Sequence, residues 1–133
     1  MKSEFPTCFN SNDELDTAWT SVINATAIYM SEMSLKTLSG IEYFDKLENL
    51  TCRNCSYLNE IPSLPKSLKG LDILGAKIKK LPKLPSTLMY LQCAYTEITE
   101  LPKLPAGLKD LRCYGNSNLI SLPSLPATLT ILV

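Results

Sequence analysis

The sequence predicts an α/β solenoid, with short parallel β-strands on a concave face, an extended polyproline-II-like convex back and an N-terminal helical cap. Three observations predict it. A leucine phrase returns every 20 or 21 residues along much of the 133-residue chain. A proline phrase returns in step with it, and the segment upstream of both carries apolar residues at helical spacing.

The strand phrase reads Leu47-Glu-Asn-Leu50-Thr-Cys52, Leu68-Lys-Gly-Leu71-Asp-Ile73, Leu88-Met-Tyr-Leu91-Gln-Cys93 and Leu108-Lys-Asp-Leu111-Arg-Cys113, and a fifth copy begins at Leu129. Apolar residues at the first, fourth and sixth places straddle a short strand whose alternate side chains point inward. One coil cannot bury that row alone, so neighbouring coils must stack and share a parallel sheet. The spacing matches the pattern L-x-x-L-x-L-x-x-N/C-x-L, at the short end of the roughly 20–29 residues of leucine-rich repeats.

The back of each coil follows from Leu/Ile-Pro-x-Leu-Pro, at 61–65, 81–85, 101–105 and 122–126. Proline lacks an N–H and fixes φ, so the phrase joins neither a ladder nor a helix interior and runs extended. The ninth place of the repeat, whose side chain normally bonds the backbone of the turn, holds Cys55, Ala76, Thr96 and Asn116. Ala76 has no group to do this, so the second repeat is expected to be the softest link.

Upstream, Ser11-Asn-Asp-Glu14 has the form of a capping box. It opens an amphipathic run through Leu15, Ala18, Trp19, Val22, Ile23, Ala27 and Met30, which predicts a helix over residues ~12–30 covering the first hydrophobic layer, with Trp19 as its anchor. The organisation expected is a cap over 1–34 and repeats over 35–133. The repeats comprise one degenerate unit, four full units from Leu47, Leu68, Leu88 and Leu108, and a partial one from Leu129.

Composition narrows the function. The chain has no histidine, which removes the usual general base near neutral pH. Its five glycines are scattered, so there is no phosphate-cradling loop, and no carboxylates are paired in a phrase suggesting catalysis. Cys52-Arg-Asn-Cys55 matches C-x-x-C, but Cys52, Cys93 and Cys113 share the inward sixth place and Cys55 the ninth, where cysteine acts as a small buried hydrophobe. Cys93 and Cys113 should lie about one strand spacing, ~5 Å, apart, and Cys8 is the candidate exposed thiol. No enzyme activity, metal or cofactor is expected.

Formal net charge is zero. The first 60 residues hold nine acids against four bases and the remainder four acids against nine bases, an asymmetry read as solvation of the coil faces. The lysines at 77, 79, 80 and 83 are not interleaved with aromatics on one groove, so nucleic acid is not favoured as a partner. There is neither a signal peptide nor a run of roughly 20 apolar residues. The chain is expected in the cytoplasm, or secreted without a cleavable signal into a host cell.

Binding is expected on the concave face, which receives the third, fifth and seventh residues of each strand phrase and the residue that follows them. The candidate partner-binding residues are Arg53, Asp72, Leu74, Tyr90, Gln92, Tyr95, Asp110, Arg112 and Tyr114. Tyrosine and arginine are the residue types favoured at protein-contact hot spots. The strand beginning at Leu129 is expected to end in an open apolar layer. That layer is either a junction to more chain or a site of end-to-end pairing with a second copy.

The Leu-Pro-x-Leu-Pro backs with Leu-x-x-Leu-x-Cys/Ile strands resemble the leucine-rich repeats of secreted bacterial effectors of the Yersinia outer protein M and invasion plasmid antigen H types. The likeness covers residues ~47–133 and, more weakly, the Trp-containing N-terminal segment. Leu38-Ser-Gly-Ile41-Glu-Tyr-Phe44 also resembles the leading repeats of bacterial surface proteins of the internalin kind. The resemblance implies a protein-interaction module that recognises host proteins. The second expectation is the substrate-recognition part of a longer enzyme such as a ubiquitin ligase, and the third is a self-assembling structural protein. Cysteines within the strands, and Asn missing from the ninth place of three repeats, depart from the family pattern.

Overall fold

The repeat period becomes a coil with one strand per turn. The computed structural model describes residues 24–133, with six strands in chain order: β1 (Ala27–Ser31), β2 (Asn49–Arg53), β3 (Gly70–Asp72), β4 (Tyr90–Gln92), β5 (Asp110–Arg112) and β6 (Ile131–Leu132). They form one sheet in that same order, with every neighbouring pair parallel. Sequential strands that are all parallel must each be separated by a full turn of chain, which is the leucine-rich-repeat type of solenoid.

The register places the repeats in phase. Ile28, Leu50, Leu71, Leu91, Leu111 and Leu132 stand side by side along the sheet. The first leucines of the phrase, Leu47, Leu68, Leu88 and Leu108, are fully buried against them, as are Leu58, Ile78 and Ile98 from the backs of the coils. Burying each such side chain contributes roughly 1.5–3 kcal/mol, so this shared interior is the main source of stability.

Proline shapes the return into each strand. The second proline of each phrase cannot donate, but its carbonyl accepts the N–H of the leucine three residues later. These bonds run from Leu68 to Pro65, Leu88 to Pro85, Leu108 to Pro105 and Leu129 to Pro126, at 3.0–3.2 Å. The residue before that leucine ties coil to coil in three of the four cases. The Ser67 hydroxyl donates to the Leu47 carbonyl at 2.8 Å, Thr87 to Lys66 and Leu68, and Thr128 to Ala106 and Leu108.

The N-terminal expectation needs correction. The segment from Ala27 to Met30, assigned to the end of the helix, is instead strand β1, paired in parallel with β2 from Ala27↔Asn49 to Ser31↔Arg53. Ile28 and Met30 point inward and Tyr29 outward. The repeats therefore start before residue 35, and Leu35, Leu38, Ile41 and Phe44 form the buried back of that first coil, with a 3₁₀ turn at Ile41–Tyr43. The described residues contain no α-helix, so the α component of the expected class is missing from them. The rest of the expected helix, with Trp19 and Cys8, lies outside the described residues.

One backbone feature recurs on every coil. Glu32, Asn54, Gly75, Tyr95 and Gly115, each just past the strand phrase, all have positive φ, between 52° and 72°. The left-handed conformation turns the amide so that it extends the ladder: Asn54 N–H bonds the Leu74 carbonyl, Gly75 that of Ala94, and Tyr95 that of Tyr114, at 2.7–3.0 Å. A side chain here is uncommon and costs backbone strain. Asn54 and Tyr95 each lie over the glycine of the next coil, whereas Glu32 is followed by Asn54. A Cβ on Gly75 would sit 2.5 Å from the Asn54 amide oxygen, and one on Gly115 would sit 2.5 Å from the Tyr95 ring.

Candidate functional site

The outward rows of the sheet are set by the same register. Asn49, Gly70, Tyr90, Asp110 and Ile131 form one row, and Thr51, Asp72, Gln92 and Arg112 the next. Every expected binding residue within a strand thus lies on one face. Their accessibility differs sharply. Asp72 and Gln92 are only 5% and 4% exposed.

Both buried residues use their side chains internally. One Asp72 carboxylate oxygen accepts the Leu74 N–H at 3.2 Å, and the other accepts Arg53 Nε at 2.8 Å and an Arg53 terminal nitrogen at 2.6 Å. The hydrogen bond that Arg53 donates to Asp72 holds its guanidinium firmly in the charged form. Gln92 repeats the local motif, its amide oxygen accepting the Ala94 N–H at 3.3 Å. These residues fix the face and offer a partner little surface. Leu74 is half-buried beside them.

The accessible part is aromatic. Arg112 makes a two-point contact with Asp110, at 3.0 and 3.1 Å, which orients its planar fork. Its guanidinium carbon lies 5.9 Å from the centre of the Tyr90 ring, within cation–π range. Burial, and then the Asp72 carboxylate, raise the Tyr90 phenol above its ordinary value, so it stays a neutral donor. On the neighbouring turns the Tyr95 and Tyr114 rings meet edge to face, with centroids 5.3 Å apart and planes at 85°. Tyr95 is 62% exposed and Tyr114 39%.

The sequence reading missed Tyr29. Its ring is exposed on β1 and lines a shallow hollow of about 180 Å³ with Asn49, Arg53, Gly70 and Tyr90. The strict in–out alternation of Ile28-Tyr29-Met30 was the available signal.

The cysteines sit where the repeat puts them. Cys52, Cys55, Cys93 and Cys113 are buried free thiols. Burial pushes the Cys93 thiol up to about 12, helped by neighbouring Cys113, and burial raises Cys52, Cys55 and Cys113 as well. Such thiols are poor nucleophiles and poor metal ligands. Among the described residues no group of three His, Cys, Asp or Glu side chains is placed to hold a metal ion, and no helix is long and apolar enough to cross a membrane.

No protein-family model matches the sequence, and no curated protein matches it. Among solved structures, YopM from Yersinia enterocolitica WA-314 aligns at 27% identity and a TM-score of 0.48, over 73% of this chain. The chain spans 30% of the length of that protein.

Proposed function

We propose that the chain is a protein-binding module that takes its partner on the concave face, at the patch formed by Tyr90, Tyr95, Arg112 and Tyr114. The observation that carries this reading is Tyr95. A large aromatic side chain is held in a strained left-handed conformation, mostly exposed, with its ring braced by Gly115 beneath and Tyr114 beside it. Strain of this kind persists where the surroundings impose it, and it concentrates at functional positions. A braced aromatic pair, Tyr95 with Tyr114, on the face where Arg112 is oriented against Tyr90 has the character of an interface hot spot. In keeping with the effector-like repeat phrase, the partner in this reading is a host protein, met after secretion or in the cytoplasm.

The test is affinity capture from host-cell lysate, comparing the native chain with the triple variant Tyr90→Ala, Tyr114→Ala, Arg112→Glu. A specific partner lost on substitution supports the proposal. A partner retained undiminished removes the concave-face assignment.

A further inference from the structure

A second surface, on the opposite side of the coil, has a different character. The proline phrases of three successive repeats enclose a trough of about 860 Å³ lined by residues of the segments 63–66, 83–86 and 102–106. Its accessible apolar lining comes from Pro85, Pro102, Pro105 and Ala106, with Leu64, Leu84 and Leu104, one per coil, nearly buried beneath them. Proline has a fixed φ, which stiffens these walls.

The charge of the trough is one-sided. Lys66, Lys83 and Lys103 line it, and no carboxylate does. Lys83 and Lys103 occupy the same place of the phrase on consecutive coils, where the flanking coils carry Ser63 and Ser124. Among the described residues none of the three is ion-paired, although Lys80 is matched to Glu100 at 3.2 Å and Lys69 to Glu48 at 2.7 Å. Three unmatched ammonium groups around a recessed apolar floor present only donors and positive potential, which attracts and orients an anionic ligand.

We infer that this convex trough is a docking site for an extended acidic peptide segment in which carboxylates alternate with apolar side chains. An extended chain advances ~3.4 Å per residue, so alternate side chains fall ~7 Å apart. One set then packs on the proline-lined floor while the other meets the lysines. Nucleic acid is disfavoured because the trough has neither the aromatic platforms nor the arginines on which bases stack. A lipid surface is flat and does not enter a recess.

The experiment is fluorescence polarisation with a dye-labelled Glu-Leu-Glu-Leu-Glu-Leu peptide at low salt, run beside its Gln-for-Glu counterpart, a thymidine 20-mer and phosphatidylglycerol vesicles. The site predicts saturable binding of the Glu peptide, at least tenfold weaker for the Gln peptide. The double variant Lys83→Glu, Lys103→Glu should weaken binding at least tenfold. The control Lys77→Glu, Lys109→Glu, with the same charge change outside the trough, should weaken it less than threefold. Thermal unfolding confirms that both variants fold. The inference is overturned if the Glu peptide does not bind, if the control loses as much as the trough variant, or if the oligonucleotide or vesicles bind more tightly than the peptide. Substituting Tyr90, Tyr114 and Arg112 should leave this binding unchanged, which separates the trough from the concave face.

Discussion

Replacing Asn116 by alanine tests how the coils are tied together. Its side chain makes four hydrogen bonds across two repeats. The amide oxygen accepts the Thr96 N–H and the Thr96 hydroxyl, both at 2.8 Å, and the amide nitrogen donates to the carbonyls of Cys93 at 2.9 Å and Cys113 at 2.7 Å. In Asn116→Ala the Thr96 hydroxyl keeps its bond to the Cys93 carbonyl, at 3.0 Å. The Thr96 N–H and the Cys113 carbonyl then have no side-chain partner, and both residues are buried. A net bond is worth about 1 kcal/mol and an orphaned buried group costs about 1–3 kcal/mol, while partial access of water at half-buried Asn116 returns some of this. The expected loss is about 2–3 kcal/mol in urea unfolding, with the Thr96 amide changing from slow to fast hydrogen exchange. A loss below about 0.5 kcal/mol with Thr96 still protected would refute the reasoning, because that is the range of an ordinary surface substitution.

Gly115→Ala places a Cβ against the Tyr95 ring at φ +70°. It should cost about 1–3 kcal/mol and weaken partner capture, whereas Gly107→Ala, whose Cβ would meet nothing closer than 3.9 Å, should stay within about 0.5 kcal/mol in the same urea titration. Stability should also fall in alkali. The Cys93 thiol ionises near 9.0 when unfolded but only near 12 when folded, so its contribution is intact below 9 and is lost as pH rises through that window, by about 1.4 kcal/mol per pH unit. Cys93→Ala should flatten the slope between pH 9 and 11 relative to the native chain, and an unchanged slope would refute the assignment. Asp72→Ala removes the acceptor of both Arg53 and the Leu74 N–H. It should cost about 1–2 kcal/mol by thermal unfolding, because Arg53 remains solvated on its outer side.

Much of this architecture is legible in the leucines alone. Their period fixes which residues face inward and, through the coil, which strand lies beside which. The concave rows from Asn49 to Arg112 therefore appear where the spacing puts them. The first coil was obscured by a coincidence of periods. Ala27 and Met30 continue a helical spacing from Leu15, while Ile28 lies 22 residues before Leu50, one more than the longest spacing of the later coils, and pairing with β2 decides the outcome. Accessibility was the other gap. Asp72 and Gln92 lie on the predicted face, but each folds back onto the N–H two residues ahead, a rotamer choice that leaves no trace in residue spacing. The proline phrases announced an extended back. Their enclosure of a lysine-rimmed trough depends on three coils lying together.

The left-handed residues after each strand have a consequence for how such a chain can grow. Asn54 roofs Gly75 and Tyr95 roofs Gly115, so from Asn54 onward lids and bare positions alternate, and the pattern from Gly75 returns only at Gly115, forty residues on. Copying the Tyr95 coil alone would set a Cβ where only Gly115 fits, 2.5 Å from the ring. Copying a pair keeps every lid matched to its seat. Although the leucines count in twenties, lengthening or shortening the coils from Asn54 onward by gene duplication or by engineering should succeed in steps of two.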